Sequence, residues 1–464
     1  MTIRIMLGII VAGLWTARAP FTTLAGSDRT PTNVLLVTID TLRADHLSSY
    51  GYHLKTSPRM DRLAEEGVRF EKAYTVIPLT GPSHFSLFTS RYPQEHGARI
   101  NGVSVPDKAK WIFLPQIFKA AGYHNAAYIS AWPLTDHLTH LDRWFDVYDE
   151  ELNRSYQWLN SSRYAEDVTP RASQWLRKKR KEPFFMWVHY FDPHSPYDFR
   201  KAFPADQPSG NAVPAVEWRD AKMRDRIRSY DSEIAYTDYH LGRLLDTLDE
   251  LGLRDSTLVV VTSDHGESLG EHGYVGHGRH LSEAIIRVPL IMRWPGVIPA
   301  GRTISAQATL VDLAPTVVDL VFGTEKLYQS AQTFSGRTFK PAILDEAAVP
   351  HRPIRYLTFA GKKGWAPRWV SWIWVHPDTL PLRLGETDGT LKRVWTPRDR
   401  RLVEVDLSGD PLELNPKVYH DEMELYRTET AELREWFAAT DLNDAKSQLN
   451  RKDEEILKSL GYTQ

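Results

Sequence analysis

Three apolar runs in this chain each end on residues able to bind a metal ion or move a proton. Residues 34–39 (VLLVTI) lead to Asp40, with Thr41, Arg43 and Asp45 directly after it. Residues 184–190 (FFMWVHY) lead to Asp192, Pro193 and His194. Residues 257–262 (TLVVVT) lead to Ser263, Asp264, His265, Gly266 and Glu267. Carboxylates and imidazoles gathered in one place are donors for a metal ion. Thr80, in the segment TGPSH, offers a hydroxyl that could serve as nucleophile or ligand, although a threonine before a helix is more commonly a cap. His265, His272, His277 and His280 share a stretch with five glycines. Such a loop after a strand-end acid is uncommon as a mere connection.

The elements that must position these groups follow from hydrophobic patterning. The three runs show no alternation, so they read as strands buried on both faces, the usual state of central strands in a parallel sheet. If the sheet is parallel, the strand-end clusters lie along one edge, where such sheets bind ligands. Ser57 and Pro58 open a short helix with Met60, Leu63 and Ala64 inward, ended by Gly67. Residues 68–76 read as a strand. Pro82 opens a helix with Leu87 and Phe88 inward. Thr80 then sits just ahead of that helix, where free backbone N–H groups favour an anion. Helices are expected at 114–121, 163–181 and 310–322, and strands at 123–130 and 288–293. Apolar residues from Ile227 to Leu248 recur at helical spacing and define a long helix ended by Gly252. The Pro/Gly-containing segment 200–220 reads as a lid or substrate wall.

The chain has 464 residues, room for one large domain and a smaller one. Its 42% hydrophobic and 25% charged residues are ordinary for a globular protein. A net charge of −2 gives no field that would favour nucleic acid or an anionic membrane. The absence of cysteine excludes disulfides, thiolate metal sites and cysteine nucleophiles. Arg4, an apolar stretch over 5–15 and small residues around 17–25 have the layout of a secretory signal peptide. We therefore expect residues 1–25 to be removed, a catalytic domain over 30–344, and a periplasmic or secreted protein with no integral membrane association. From about 345, short β-like runs at 369–375, 392–395 and 402–405, followed by helices at 425–438 and 453–460, indicate a C-terminal α+β subdomain.

Taken in order, the segments NVLLVTIDTLRADHLSSYGY, SPRMDRLAEEGVRF, TGPSHFSLFTSRYPQEHG, HYFDPHSP, TSDHGESLGEHG, RVPLIMRWPG, LVDLAPTVVDL and the final LKSLGY resemble the sulfatase family of the alkaline phosphatase superfamily. The resemblance implies an α/β fold: a doubly wound, mostly parallel sheet sandwiched by helices. It also implies hydrolysis of sulfate or phosphate esters at a metal. Carried over residue by residue, the metal ligands fall on Asp40, Asp264 and His265, with the nucleophile Thr80 as a fourth. Substrate contacts fall on Asn101 and His194, and on His84 at the position of the signature arginine. His277 stands where relatives often carry a lysine, which makes it, with His194, a candidate for protonating the leaving oxygen.

The departures from the family pattern are informative. Formylglycine is made from cysteine or serine, so Thr80 implies a nucleophile that is not formylglycine. Thr41 stands where many relatives have a second aspartate, and His265 where many have asparagine. Imidazole in place of a hard oxygen ligand favours manganese or zinc over calcium. The expectation is one divalent ion, with a small-molecule, glycan-linked or lipid-linked sulfate or phosphate ester as substrate. Two alternatives remain: a phospho-headgroup transferase working through the same Thr80 ester, and a non-catalytic polymer-binding relative.

Overall fold

The computed structural model describes residues 32–105, 111–156, 159–179, 183–209, 221–326, 334–359 and 381–440. The signal segment 1–25, the run 369–375, the helix expected over 453–460 and the second half of the 200–220 loop lie outside the described residues.

Eight strands build the central sheet. They are β1 (Asn33–Ile39), β2 (Val68–Phe70), β3 (His124–Tyr128), β4 (Val147–Asp149), β5 (Phe184–Tyr190), β6 (Thr257–Ser263), β7 (Leu290–Arg293) and β8 (Arg302–Ile304). Their spatial order is β8-β2-β7-β6-β1-β5-β3-β4. β1 lies between β5 and β6 and pairs in parallel with both. Of these eight strands β7 alone runs antiparallel to its neighbours. Every residue of β1, β5 and β6 is buried, which explains their unbroken apolar character.

Helices cover both faces. They are α1 (Pro58–Glu65), α2 (Thr80–Thr89), α3 (Leu114–Ala120), α4 (Ala165–Lys179), α5 (Ala221–Glu250), α6 (Leu313–Phe322) and α7 (Glu424–Thr440). Leu36, Trp187 and Val260 pack toward α2, α3 and α6 through Phe85, Phe88, Phe118 and Val317. Leu35, Val188 and Val261 pack toward α1, α4 and α5 through Met60, Leu176, Tyr230 and Leu241. Each fully buried side chain of this kind contributes about 1.5–3 kcal/mol, so the strand ends are held by a deep core on either side.

Two expected strands are divided. Within 68–76, Val68–Phe70 joins the central sheet, while Ala73–Tyr74 enters a separate sheet with Arg287–Val288 and Ala308–Thr309. Within 288–293 the break falls at Pro289, which has no N–H to give a ladder. Its carbonyl instead accepts the Thr262 hydroxyl at 2.7 Å.

A second sheet follows: β9 (Ile354–Thr358), β10 (Arg383–Thr387), β11 (Leu391–Thr396), β12 (Arg401–Asp406) and β13 (Lys417–His420), all antiparallel in simple succession. With α7 it packs Leu357, Leu384, Trp395 and Leu433 against Val76, Ile77 and Leu79. The C-terminal subdomain thus supports the turn that delivers Thr80. No helix among the described residues is long and apolar enough to cross a membrane.

Candidate active site

Register assembles the site. Ile39 is level with Tyr190 on one side and Ser263 on the other. Asp40 and Asp264 therefore emerge side by side at the same end of adjacent parallel strands. Asp40 N–H still donates to the Tyr190 carbonyl at 2.8 Å, so the first residue beyond the strand remains pinned. Asp40, Asp264 and His265 are fully buried and each offers a ligand atom within 4.8 Å of the others. Both Asp40 oxygens, Asp264 Oδ2 and His265 Nε2 have no hydrogen-bond partner. The other donor atoms are committed: Asp264 Oδ1 accepts His265 N–H at 2.9 Å and Thr41 N–H at 3.3 Å, and His265 Nδ1 meets the Gly266 carbonyl at 3.0 Å.

The electrostatics point the same way. Burial, with repulsion from Asp264 and Glu267, holds Asp40 well above the usual carboxylate range, and the nearby Thr80 hydroxyl opposes that rise. Burial pushes Asp264 up to about 6. Burial also holds His265 well below the ordinary imidazole value. Carboxylates that resist ionisation beside imidazoles that resist protonation form a pocket short of positive charge, and a bound cation would reverse both tendencies. The orphaned atoms offer mixed oxygen and nitrogen donors of the kind a divalent ion would need.

Thr80 is fully buried and is the first residue of α2, one step further into the helix than expected. Asn101 anchors this turn, its Oδ1 accepting Gly81 N–H at 2.8 Å, while its Nδ2 is buried without a partner. A Cβ at Gly81 would lie 3.2 Å from Asn101 Oδ1, so glycine permits the close approach. Ser83 Oγ donates to the Asp264 carbonyl at 2.7 Å and ties α2 to the end of β6.

His194 and His277 also reach the site. His277 lies 4.3 Å from His265 and 5.1 Å from His194 between ring centroids. His277 Nδ1 faces Glu267 Oε1 at 3.1 Å, and His194 Nδ1 meets the Ser195 carbonyl at 2.6 Å. Burial lowers each imidazole to about 3, so both are neutral in the free protein.

Other expected residues are placed differently. Asp192, expected on the same edge as Asp40 and Asp264, turns aside, and its carboxylate accepts Ala165 N–H at the start of α4. His84 is committed to internal contacts, Nδ1 to the Thr80 carbonyl at 2.8 Å and Nε2 to Thr38 Oγ1 at 3.0 Å. His272 is exposed, and His280 stacks on Tyr274 and meets Arg383 of β10 at 3.2 Å. Arg43 shapes the loop after β1: it bonds Asp45, Glu271 and the Glu267 carbonyl.

Sequence reasoning missed three positioning residues. Tyr230, read only as a core position of the long helix, donates from its hydroxyl to the Thr41 carbonyl at 2.7 Å and accepts Arg43 N–H at 2.9 Å. It clamps a turn in which Thr41, a β-branched residue, has φ 56°. Ser263 Oγ donates to the Ile39 carbonyl at 2.6 Å and accepts Leu42 N–H at 3.0 Å. Glu267 is fully buried behind His277. A buried carboxylate three residues after Asp264 was visible in the motif, and its partner His277 lies ten residues on in the same loop.

A parallel α/β sheet with an acid–imidazole cluster and a helix-borne hydroxyl at its C-terminal edge places the molecule in the alkaline-phosphatase-like class. The sulfatase family profile matches residues 32–324, and the chain belongs to that family of ester hydrolases. It is 26% identical to an N-acetylglucosamine-6-O-sulfatase of Bacteroides thetaiotaomicron, over 68% of this chain and 72% of that protein. It is 28% identical to an ulvan-active sulfatase of Formosa agariphila, over 63% of this chain and 62% of that protein. Among solved structures, one in complex with its substrate D-glucosamine-2-N,6-O-disulfate aligns with TM-score 0.67 and 21% identity, over 93% of this chain and 98% of the other. A phosphonate monoester hydrolase of Agrobacterium radiobacter aligns with TM-score 0.64 and 21% identity, over 90% and 97%.

Proposed function

We propose that this protein is an exported, metal-dependent hydrolase of sulfate or phosphate esters on small anionic molecules or glycans, acting through a covalent ester on Thr80. The observation that carries this reading is the set of orphaned donor atoms on Asp40, Asp264 and His265 beside the Thr80 hydroxyl. Asp40, Asp264, His265 and Thr80 would hold one divalent ion, manganese or zinc before calcium. When bound, the ion lowers the pKa of the threonine hydroxyl and offsets charge developing on the ester.

The chain's own groups perform the rest. The Thr80 hydroxyl gives up its proton to solvent, its oxygen attacks sulfur or phosphorus, and the bond to the leaving oxygen breaks. Asn101 Nδ2 and the first N–H groups of α2 hold the non-bridging oxygens. His277, oriented through Nδ1 by Glu267, and His194 surround the leaving oxygen. Both imidazoles are neutral when the site is empty. An anionic ester draws a proton onto one of them, and that proton goes to the departing alkoxide. Water then attacks the Thr80 ester and releases sulfate or phosphate. His84, bonded to the Thr80 carbonyl, fits a role in positioning the nucleophile more than one in touching substrate.

Names of the relatives favour a sulfated glycan as substrate. Thr80 favours phosphate or phosphonate esters as a second reading, because threonine cannot become formylglycine. Nitrophenyl sulfate, phosphate, phosphodiester and phosphonate, offered to the purified protein with manganese or zinc, separate the two. Turnover of none of them by the metal-loaded protein, or full turnover by Thr80→Val, would overturn the proposal. Export follows from the N-terminal segment and is tested by fractionating cells that express the full chain.

A further inference from the structure

The loop that carries His277 runs on into Arg279 and His280, and the chemistry above uses neither. The second sheet meets this loop end-on. Thr358 Oγ1, at the end of β9, donates to the Gly278 carbonyl. Arg383, the first residue of β10, is level with Thr358. Its Nη1 donates to His280 Nδ1 at 3.2 Å. Arginine has no acceptor to offer, so the imidazole proton stays on Nε2. His280 stacks on Tyr274 with ring centroids 4.2 Å apart, and the Tyr274 hydroxyl donates to the His277 carbonyl at 2.5 Å. A Cβ at Gly276 would lie 3.7 Å from the Tyr274 hydroxyl and 3.9 Å from Glu267 Oε1, so this tyrosine stands against the His277–Glu267 pair. Two side chains, His280 and Tyr274, thus separate Arg383 from His277.

Positive charge in this corner is not balanced. Arg43 and Arg163, buried elsewhere, each meet a carboxylate. Arg383 forms no ion pair among the described residues: its Nη1 meets a neutral imidazole, and its Nε is buried without a partner. Register puts a second arginine at the same end of the sheet, because Leu384 is level with Trp395 and Thr396 with Arg401. Burial, with repulsion from Arg401, holds the Arg383 guanidinium below its usual range, and the acid that opposes this, Asp399, is exposed. Burial lowers His280 to about 4, and Arg383, His272 and Arg279 push the same way. A guanidinium withdrawn from water without a carboxylate is costly unless an anion completes it. With Nη1 on His280, the other edge of the fork is Nε and Nη2. Two parallel N–H groups of that kind match two oxygens of a sulfate or carboxylate.

Building on the ester-hydrolase reading above, we propose that Arg383, steadied by His280 and backed by Arg279 and Arg401, binds a second anionic group on the substrate molecule. The preferred substrate then carries a further sulfate or carboxylate beside the ester that is cut. The C-terminal subdomain selects substrate as well as bracing the Thr80 turn.

The test is calorimetry on the full-length, manganese-loaded protein, in a Thr80→Val background so that no sugar is consumed. The probes are glucosamine 6-sulfate, glucosamine 2-N,6-O-disulfate, and 6-sulfated glucosamine joined to a uronate. The disulfate, the uronate conjugate or both should bind roughly 10-fold or more tighter than the monosulfate. Which of them does so tells sulfate from carboxylate recognition. Adding Arg383→Gln should erase the gain, and Arg383→Lys, which keeps the charge but not the fork, should restore part of it. Arg401→Gln, at an exposed residue, should leave most of it. No binding, equal affinity for the three sugars, or a gain that Arg383→Gln does not touch overturns the subsite. So does an equal loss on all three, the mark of a residue that only fastens the second sheet to the His277 loop. The ester-hydrolase reading is judged separately, by wild-type turnover of nitrophenyl esters. If turnover fails while the Arg383-dependent preference holds, the subsite stands and that reading falls. If circular dichroism shows that Arg383→Gln does not fold, the three-sugar comparison and Arg383→Lys decide.

Discussion

Two pairs of buried aspartates differ in a way that separates structure from function. Asp231 and Asp238 on α5 are 2% and 1% exposed, and Asp40 and Asp264 at the sheet edge are 0% exposed. Asp231 receives His46 Nδ1 at 2.6 Å and the Tyr52 hydroxyl at 2.7 Å. Asp238 accepts the N–H groups of Arg59 and Met60, both at 2.9 Å, and so satisfies the positive end of α1. Asp40 has no hydrogen-bond partner on either oxygen, and Asp264 has none on Oδ2. Burial alone does not mark the pair proposed to hold the ion, and neither does a raised pKa, since burial pushes Asp238 up to about 7 and Asp264 up to about 6. Unmet hydrogen-bonding capacity beside a further ligand atom marks it: Glu233 on α5 also has two partnerless oxygens, but of these acids only Asp40 and Asp264 stand with a buried imidazole within 4.8 Å of both.

The contrast can be broken most severely at Thr80, the nucleophile proposed above. Thr80→Val keeps the shape of the side chain and should lower kcat by about 10³-fold or more with the melting temperature unchanged, whereas Thr80→Ser should retain much of the activity. Steady-state kinetics on a nitrophenyl ester read both. Asp40→Asn should weaken metal binding by more than the about 10–100-fold that follows loss of a mere outer partner. The same change removes repulsion with Asp264 and Glu267, so the metal-free protein should be as stable as wild type or more so, as measured by denaturant unfolding. His277→Gln should cost about 10²-fold or more on esters with poor leaving groups and much less on nitrophenyl esters, which need little protonation. Equal losses on both would move the acid role to His194.

On the structural side of the comparison the expectation inverts. Asp238→Ala should cost about 1–3 kcal/mol by leaving two N–H groups of α1 without an acceptor, while the folded fraction keeps its kcat. A further effect is in pH dependence. Asp238 binds its proton more tightly in the folded state, near 7, than in the unfolded chain, near 4. Its contribution to stability is fully present below pH 4 and is lost as pH rises through 7. Asp238→Asn cannot ionise, so the stability gap between wild type and this variant should narrow from pH 4 to pH 8 in thermal melts.

The sequence by itself determined the sheet and its edge. Unbroken apolar runs can be satisfied only by burial on both faces. That placed β1, β5 and β6 at the centre and Asp40 and Asp264 where they end, and the spacing of Pro82, Leu87 and Phe88 located the helix that carries Thr80. What only the tertiary structure decided was the direction in which the polar side chains point. Asp192 sits at a strand end like Asp40, but the start of α4 comes within reach of its carboxylate and takes it. Pro289 splits the run 288–293, because pairing needs an N–H that proline lacks. Tyr230 looks like any other core position of an amphipathic helix, and its hold on the Thr41 turn spans 189 residues of chain. His280 stood out as one of four histidines in a glycine-rich loop, but the tie that holds it to Arg383 spans 103 residues of chain. Whether a buried imidazole has a partner depends on residues far away in sequence, and local patterning carries no information about them.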